Sequence, residues 1–258
     1  MIEIKSLSKE FPDKKVLYGI DCRFFDGKTN LIIGQSGSGK TVLMNCLVGL
    51  LEPTEGHILY DGRNFVTMNK KERTLLRREM GMLFQGSALF DSLTVLENVM
   101  FPLDMFSPMS YKDRKKRAQE CLDRVNLIDA QLKYPAELSG GMQKRAAIAR
   151  AISMQRKYLF CDEPNSGLDP KTSLVIDKLI HEITVENNMT TIINTHDMNS
   201  VMGIGENILY IYQGHKEWQG TSSEILSSNN QRLNDFIFAS DFSKQLRKSF
   251  EEHEEHLP

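Results

Sequence analysis

The octapeptide GQSGSGKT, residues 34–41, constrains this chain more than any other stretch. It fits the pattern G-x-x-x-x-G-K-[ST] and stands in the context which that pattern needs. The apolar run Leu31-Ile32-Ile33 precedes it, and the apolar segment 41–51 (TVLMNCLVGLL) follows it. A strand that enters a glycine-rich turn and leaves as a helix points successive backbone N–H groups into one concavity, which suits phosphate oxygens. The positive end of the helix adds to that attraction. Gly34, Gly37 and Gly39 supply the turn, and Gln35, Ser36, Ser38 and Val42 lie along the same cradle. Lys40 is expected to reach the β- and γ-phosphates of ATP, and Thr41 to ligate Mg²⁺. The bare pattern arises by chance in about 1% of chains this long, and the strand–helix context lowers that further.

The rest of the composition narrows the class. A chain of 258 residues suits one large α/β domain, or one domain with an insertion. With 40% hydrophobic and 26% charged residues it is neither disordered nor collagen-like. Lys plus Arg is 32 against 34 Asp plus Glu, a net charge of −2, which speaks against a dedicated nucleic-acid binder. Cys22, Cys46, Cys121 and Cys161 form no CxxC pair, so neither a zinc site nor a disulfide framework is expected, and a reducing compartment fits. The opening MIEIKSLSKEF lacks the apolar core of a secretory signal. No stretch approaches the roughly 18 apolar residues that span a bilayer. The chain is therefore expected in the cytosol, or at a membrane only through a partner.

Along the chain, residues 1–26 read as short strands with hairpins, and His57 to Tyr60 and Gly81 to Phe84 as further strands. Residues 92–155 are richer in Leu, Met, Lys, Arg and Glu. There Pro102 and Pro108 break an early segment, and 110–126 and 139–155 read as helices. Strand signals return at Tyr158–Cys161 and Thr191–Asn194, with a helix between them marked by Leu174, Ile176, Leu179, Ile180 and Ile183. A last hairpin, Ile208 to Gln219, turns at Gly214. The pattern is an α/β core with a mainly helical insertion, followed by a tail.

Two further motifs turn the phosphate loop into a family signature. In YLFCDE (158–163) an apolar strand ends in two acids. Asp162 is placed to hold the Mg²⁺ shell, and Glu163 to polarise an attacking water. On its own such a pair more often caps a helix. Upstream, LSGGM (138–142) leads into QKRAAIARAI. With these residues the chain resembles the ATP-binding cassette (ABC) family over roughly residues 1–225. The resemblance implies a P-loop NTPase of the ABC ATPase fold: a RecA-like α/β core, an antiparallel β-subdomain and a helical subdomain inserted at about 88–155. It also implies that Ser139, Gly140 and Gly141 present a hydroxyl and backbone N–H groups to an ATP held by a second copy of the chain, in a head-to-tail dimer. Phe11 matches the aromatic that stacks on adenine. Gln85 matches the Q-loop glutamine that senses Mg²⁺ and faces the membrane partner. Ser166–Asp169 matches the D-loop, and His196 the switch histidine on the γ-phosphate. Each of these alone would carry a structural reading, as the other five histidines do. Asn165 departs from the family's usual Thr and is expected to tune contacts across the dimer interface.

The segment after the glutamine, GSALFDSLTVLENVMFPL (86–103), and the LSGGM wording with Lys144-Arg145 look like the ATPase subunits of the Mla-type, MCE-linked phospholipid transporters of Gram-negative bacteria and their chloroplast relatives. That resemblance implies a polytopic permease, an MCE-domain lipid-binding protein, in some systems a small STAS-domain subunit, and a place on the cytoplasmic face of the inner membrane. The alternatives are the ATPase of an amino-acid or other small-solute importer, and an ABC regulator without transport. In the tail (226–258), Phe238, Phe242, Leu246 and Phe250 recur along one side of a helix, with Lys244, Arg247 and Lys248 among them. The run KDRKKR (112–117) reads as a solvated helix face, and EEHEEHLP as a solvated end.

Overall fold

Residues 1–238 are described by the computed structural model. Alternating burial along the first strands sends one face of each inward. Strands β1 (Ile2–Phe11), β2 (Lys14–Phe24), β4 (Glu55–Tyr60) and β5 (Arg63–Asn64) make a four-stranded antiparallel sheet in the order β2-β1-β4-β5. The second sheet has the order β10-β9-β3-β8-β7-β6. Its strands β3 (Thr29–Ile33), β6 (Met80–Leu83), β7 (Tyr158–Asp162), β8 (Thr190–Asn194) and β9 (Asn207–Tyr212) run parallel. β10 (His215–Gly220) pairs antiparallel with β9 through the turn at Gly214. Every residue of β3 and β8 is buried, as a parallel strand covered on both faces requires.

Two cores flank this parallel sheet. On one side α1 (Lys40–Val48) lies among the antiparallel strands, so Ile4, Leu17, Ile20 and Phe24 share a cluster with Leu43, Leu47, Phe160 and Ile211. On the other lie α3 (Val95–Phe106), α4 (Tyr111–Arg124), α5 (Gly140–Ile152), α6 (Pro170–Glu186) and α7 (Met198–Ile204), with Val99, Leu122, Ile148, Ile176 and Ile193 in one cluster. Each such fully buried side chain contributes about 1.5–3 kcal/mol. α2 (Lys70–Arg78) follows the antiparallel sheet, and α8 (Ser222–Leu226) and α9 (Gln231–Ile237) follow β10.

Two helices differ from the sequence expectation. α1 stops at Val48 rather than running to 51, because Gly49 turns left-handed (φ 75°) and the Phe65 ring fills the place of a side chain there. α3 runs through Pro102 instead of breaking at it. An interior proline costs about 3 kcal/mol. Burial of Val95, Leu96, Val99, Met100 and Leu103 and a Thr94/Glu97 capping box offset that cost. The KDRKKR run is mixed: Lys112, Lys115 and Lys116 are exposed, whereas Arg117 donates to the carbonyls of Ile152 and Ser153. All four cysteines are free and buried, and burial pushes the Cys46 and Cys121 thiols up to about 11. His57 contacts Asn64, His215 stacks on Tyr18, and His181 faces Glu206. His253 and His256, and the tail residues Phe242, Lys244, Leu246, Arg247, Lys248 and Phe250, lie outside the described residues; Phe238 is buried at the end of α9.

The two sheets are stitched at Asp61, in the turn after β4, which accepts from Lys157 Nζ (2.6 Å) and the Tyr158 hydroxyl at the start of β7. Burial alone would raise this carboxyl, but hydrogen bonds from Lys157, the amino terminus and Tyr158 outweigh it and hold it well below the usual carboxylate range. Its stabilisation is therefore present above the unfolded pKa of about 4 and is lost as pH falls below it. Asp61→Asn should lower unfolding stability by about 1 kcal/mol at pH 7. In urea titrations the gap from the native chain should narrow progressively as pH falls from about 4 toward the lowered pKa of the folded state.

Candidate functional site

Parallel strands bring their carboxyl ends to one edge, and loops at that edge form the site. The register makes this concrete: Ile32 pairs with Asn194, Asn194 with Asp162, and Cys161 with Leu83. The chain leaving β3 becomes the phosphate loop. The chains leaving β6, β7 and β8 carry Gln85, Glu163 and His196 beside it. Together they line a cavity of about 650 Å³, with Gly34, Gln35, Ser36, Gly37, Gly39, Lys40, Thr41 and Val42 on its floor and Val16 and Phe236 at its walls.

The loop's shape follows from its glycines. At Gly34 (φ 151°) a Cβ would stand 2.2 Å from the Ile211 carbonyl oxygen, so the close approach of β9 admits no side chain there. Gly39 is left-handed at the helix entrance, and no side chain caps α1, which leaves its first N–H groups aimed at the cavity. Lys40 is 8% exposed, and its Nζ donates to the carbonyls of Gly34 (2.8 Å) and Gln35 (3.0 Å). Burial lowers its pKa, with Glu163 and Asp162 pulling the other way. Ser38 Oγ is buried without a partner among the described residues.

Two pairs of side chains stand over the loop. Asn194 Nδ2 donates to Asp162 Oδ1 (2.6 Å) and reaches Thr41 Oγ1 (3.4 Å), so the loop hydroxyl and the strand-end carboxylate converge. His196 Nδ1 lies 2.9 Å from Glu163 Oε1. Glu163 takes a left-handed backbone (φ 47°), held by its N–H donating to the Asn194 carbonyl (2.9 Å). Gln85 Nε2 donates to Ser166 Oγ (3.1 Å), while α5 grips the Gln85 loop from beneath: Lys144 donates to the Gln85 carbonyl and Arg150 to those of Ser87 and Ala88. Hard oxygen donors at Thr41 and Asp162, drawn together by one amide, suit a small divalent cation.

Not every expected residue comes to this cavity. Ser139 caps α5 through the Met142 N–H (3.4 Å), and Ser139, Gly140 and Gly141 are not among the residues lining the same chain's cavity. Phe11 is likewise absent from the lining; Lys9 Nζ sits 5.0 Å from its ring centroid. Asn165 does not face outward but is buried against Asp177 and Ser200. Sequence alone did not mark Asn194, although it opens the NTHD string, nor Phe236, whose place depends on how α9 returns to the sheet and stacks its ring on Tyr210 (5.3 Å).

The sequence model of the ABC transporter family matches residues 17–166. The chain belongs to the ABC transporter family. The glutamine transport ATP-binding protein GlnQ of Escherichia coli is 37% identical over 92% of this chain and 98% of its own length. The methionine import ATP-binding protein MetN of Carboxydothermus hydrogenoformans is 38% identical over 87% of this chain and 67% of its own length. Among solved structures, the ATP-binding cassette MJ0796, a dimer bound to ADP and phosphate in a post-hydrolysis state, superposes with a TM-score of 0.78 at 34% identity, over 86% of this chain and 99% of that one. The cassette cbiO1 of Clostridium perfringens gives 0.83 at 28% identity, over 97% and 98%. The fold is thus that of an ABC ATPase, and the chain is an ATP-hydrolysing subunit of a transporter. No helix among the described residues is long and apolar enough to cross a membrane.

The loop geometry makes a direct prediction. Gly34→Ala should weaken binding of a fluorescent ATP analogue by more than about tenfold, because the loop must shift away from Ile211. Gly203→Ala, where nothing lies within 4 Å of the added Cβ, should stay within about twofold.

Proposed function

We propose that this ABC ATPase works as a head-to-tail dimer on a polytopic permease and drives movement of phospholipid between the membranes of a Gram-negative bacterium. The observation that carries the catalytic part is the contact between Glu163 and His196 directly above the phosphate loop. Lys40 and the N–H groups of residues 34–42 hold the phosphates. Glu163 orients and polarises the attacking water, and His196 stabilises charge on the transferred phosphoryl group. Thr41, Asp162 and Gln85 are the residues that would hold Mg²⁺, which neutralises charge on the phosphate oxygens. Ser139, Gly140 and Gly141 do not line their own chain's cavity and would meet ATP on a second copy; the similar cassette MJ0796 is dimeric. Phe11 pairs with Lys14 in the β1–β2 hairpin, whose second strand carries the cavity-lining Val16, and is proposed as the adenine platform.

A permease contact is supported by the apolar surface next to Gln85. Phe84, Phe90, Phe101, Met105 and Phe106 are all exposed, and the Phe90 and Phe101 rings meet at a tilt of 51° with centroids 4.6 Å apart. Such a patch on a water-facing chain marks an interaction surface. Through it the Gln85 loop would transmit dimer closure to the permease at the cytoplasmic face of the inner membrane. The lipid cargo, the MCE-domain partner and a possible STAS-domain subunit rest on the wording of residues 86–103 and LSGGM. The second reading, solute import, is favoured by the similarity to GlnQ, a glutamine transport protein, and MetN, a methionine import protein. The boundaries proposed for the parts are 1–225 for the nucleotide-binding domain, with about 88–155 as its helical subdomain, and 226–258 for the tail.

Two experiments test this. Glu163→Gln should bind ATP within about threefold of the native chain and hydrolyse it at least 100-fold more slowly; near-normal turnover would remove Glu163 from its role. Tagged chain drawn from native membranes in mild detergent should bring down a polytopic permease, an MCE-domain protein and phospholipid. A permease with a solute-binding protein would instead establish the second reading.

A further inference from the structure

Asn165 lies between Glu163 and the Ser166–Asp169 turn, yet it is only 9% exposed. Its Nδ2 donates to Asp177 Oδ1 (2.8 Å) and to Ser200 Oγ (3.1 Å), and Ser200 Oγ donates to Asp177 Oδ2 (2.7 Å). The three side chains therefore close a ring. Only the NH₂ of an amide can face a carboxylate, so the orientation of Asn165 is fixed by its partner. Asp177 is 3% exposed and Ser200 1%. Burial pushes the Asp177 carboxyl up, and the bonds from Ser200 and Asn165 pull it partly back.

The ring ties together three segments that do not otherwise share a strand or helix. Asn165 belongs to the turn that follows Glu163, Asp177 to α6, and Ser200 to α7, the helix that starts just past His196. Glu163 and His196 each hang by a short backbone lever from the same buried carboxylate. Glu163 needs such an anchor, because its left-handed backbone is not a conformation it would hold by itself. Hydrogen bonds to a buried carboxylate are the stronger kind, and shape loss at the ring is felt because the interior is close-packed.

We propose that Asp177 is a positioning residue: by anchoring Asn165 and Ser200 it sets the separation of Glu163 and His196 over the γ-phosphate. It does not line the phosphate-loop cavity, and it acts only through that pair. The inference rests on the roles given to Glu163 and His196 above. A misplacement of about 1 Å at such a pair costs on the order of a hundredfold in rate, whereas ATP affinity, set by the phosphate loop, is untouched.

The test is steady-state ATP hydrolysis by the full chain with its co-purified membrane partners, together with the amount of ATP bound per chain. Asp177→Ala should lower kcat at least tenfold or so, while KM and bound ATP stay within about twofold. Asp177→Asn keeps the shape and an acceptor for Asn165, and should stay within about threefold of the native kcat. Ser200→Ala removes one bond and one atom, and should lower kcat about threefold at unchanged KM; it carries the test where the alanine at 177 leaves no folded chain. The proposal is overturned if Asp177→Ala keeps its kcat, if its loss of kcat is matched by loss of ATP-binding sites, or if folded Ser200→Ala is fully active. Glu163→Gln in the same assay separates the two layers. Turnover there near the native rate sinks the catalytic pair itself, while an inactive Glu163→Gln beside a fully active Asp177→Ala sinks only the anchor.

Discussion

The parallel pairing of β3, β8 and β7 is the constraint on which the rest depends. Because Ile32, Asn194 and Asp162 stand side by side in register, the loops that follow these strands open on the same edge. Antiparallel pairing would scatter the phosphate loop, the acids and the histidine to opposite ends. Parallel strands of this kind are stable only when both faces are covered. α1 and the antiparallel sheet cover one face, and α3 to α7 cover the other. The site is in this sense a by-product of burying two apolar faces.

The cover on the second face also has a mechanical consequence. α5 begins at the Ser139 cap and, further along, its Lys144 and Arg150 hold the carbonyls of Gln85, Ser87 and Ala88. The helix that starts at the signature residues is thus bonded to the loop beside the exposed apolar patch. Charge-assisted bonds from a lysine that is 4% exposed make this a stiff connection. The loop itself is not relaxed, since Ser87 and Ala88 both have left-handed backbones. Displacement at Phe90 or Phe101 would be passed to α5 rather than absorbed.

Much of the site was legible because its chemistry is local in sequence. GQSGSGKT, CDE and NTHD each sit at a strand end, and the fold brings those ends together. The α/β character with a helical insertion was legible from apolar runs and their spacing. What escaped depends on long-range packing. Pro102 stays inside a helix because the apolar cluster around Val99 rewards continuity. Asn165 turns inward because a buried carboxylate on α6 is waiting for its amide. Asn194 became visible as the bridge between Thr41 and Asp162 only once β8 was placed between β3 and β7. Phe236 reaches the cavity wall by a return of the chain that no local pattern announces.

The central claim is the proposal that one chain would supply half of each nucleotide site, Lys40 binding its own ATP and Ser139 meeting the ATP of a second copy. Sedimentation of the Glu163→Gln chain, with and without ATP, tests this most directly. The account predicts a monomer without nucleotide and a dimer retaining two ATP with it, and a dimer that is lost when Ser139 is also changed to Arg. A chain that binds ATP fully yet stays monomeric at every protein concentration tested would contradict it.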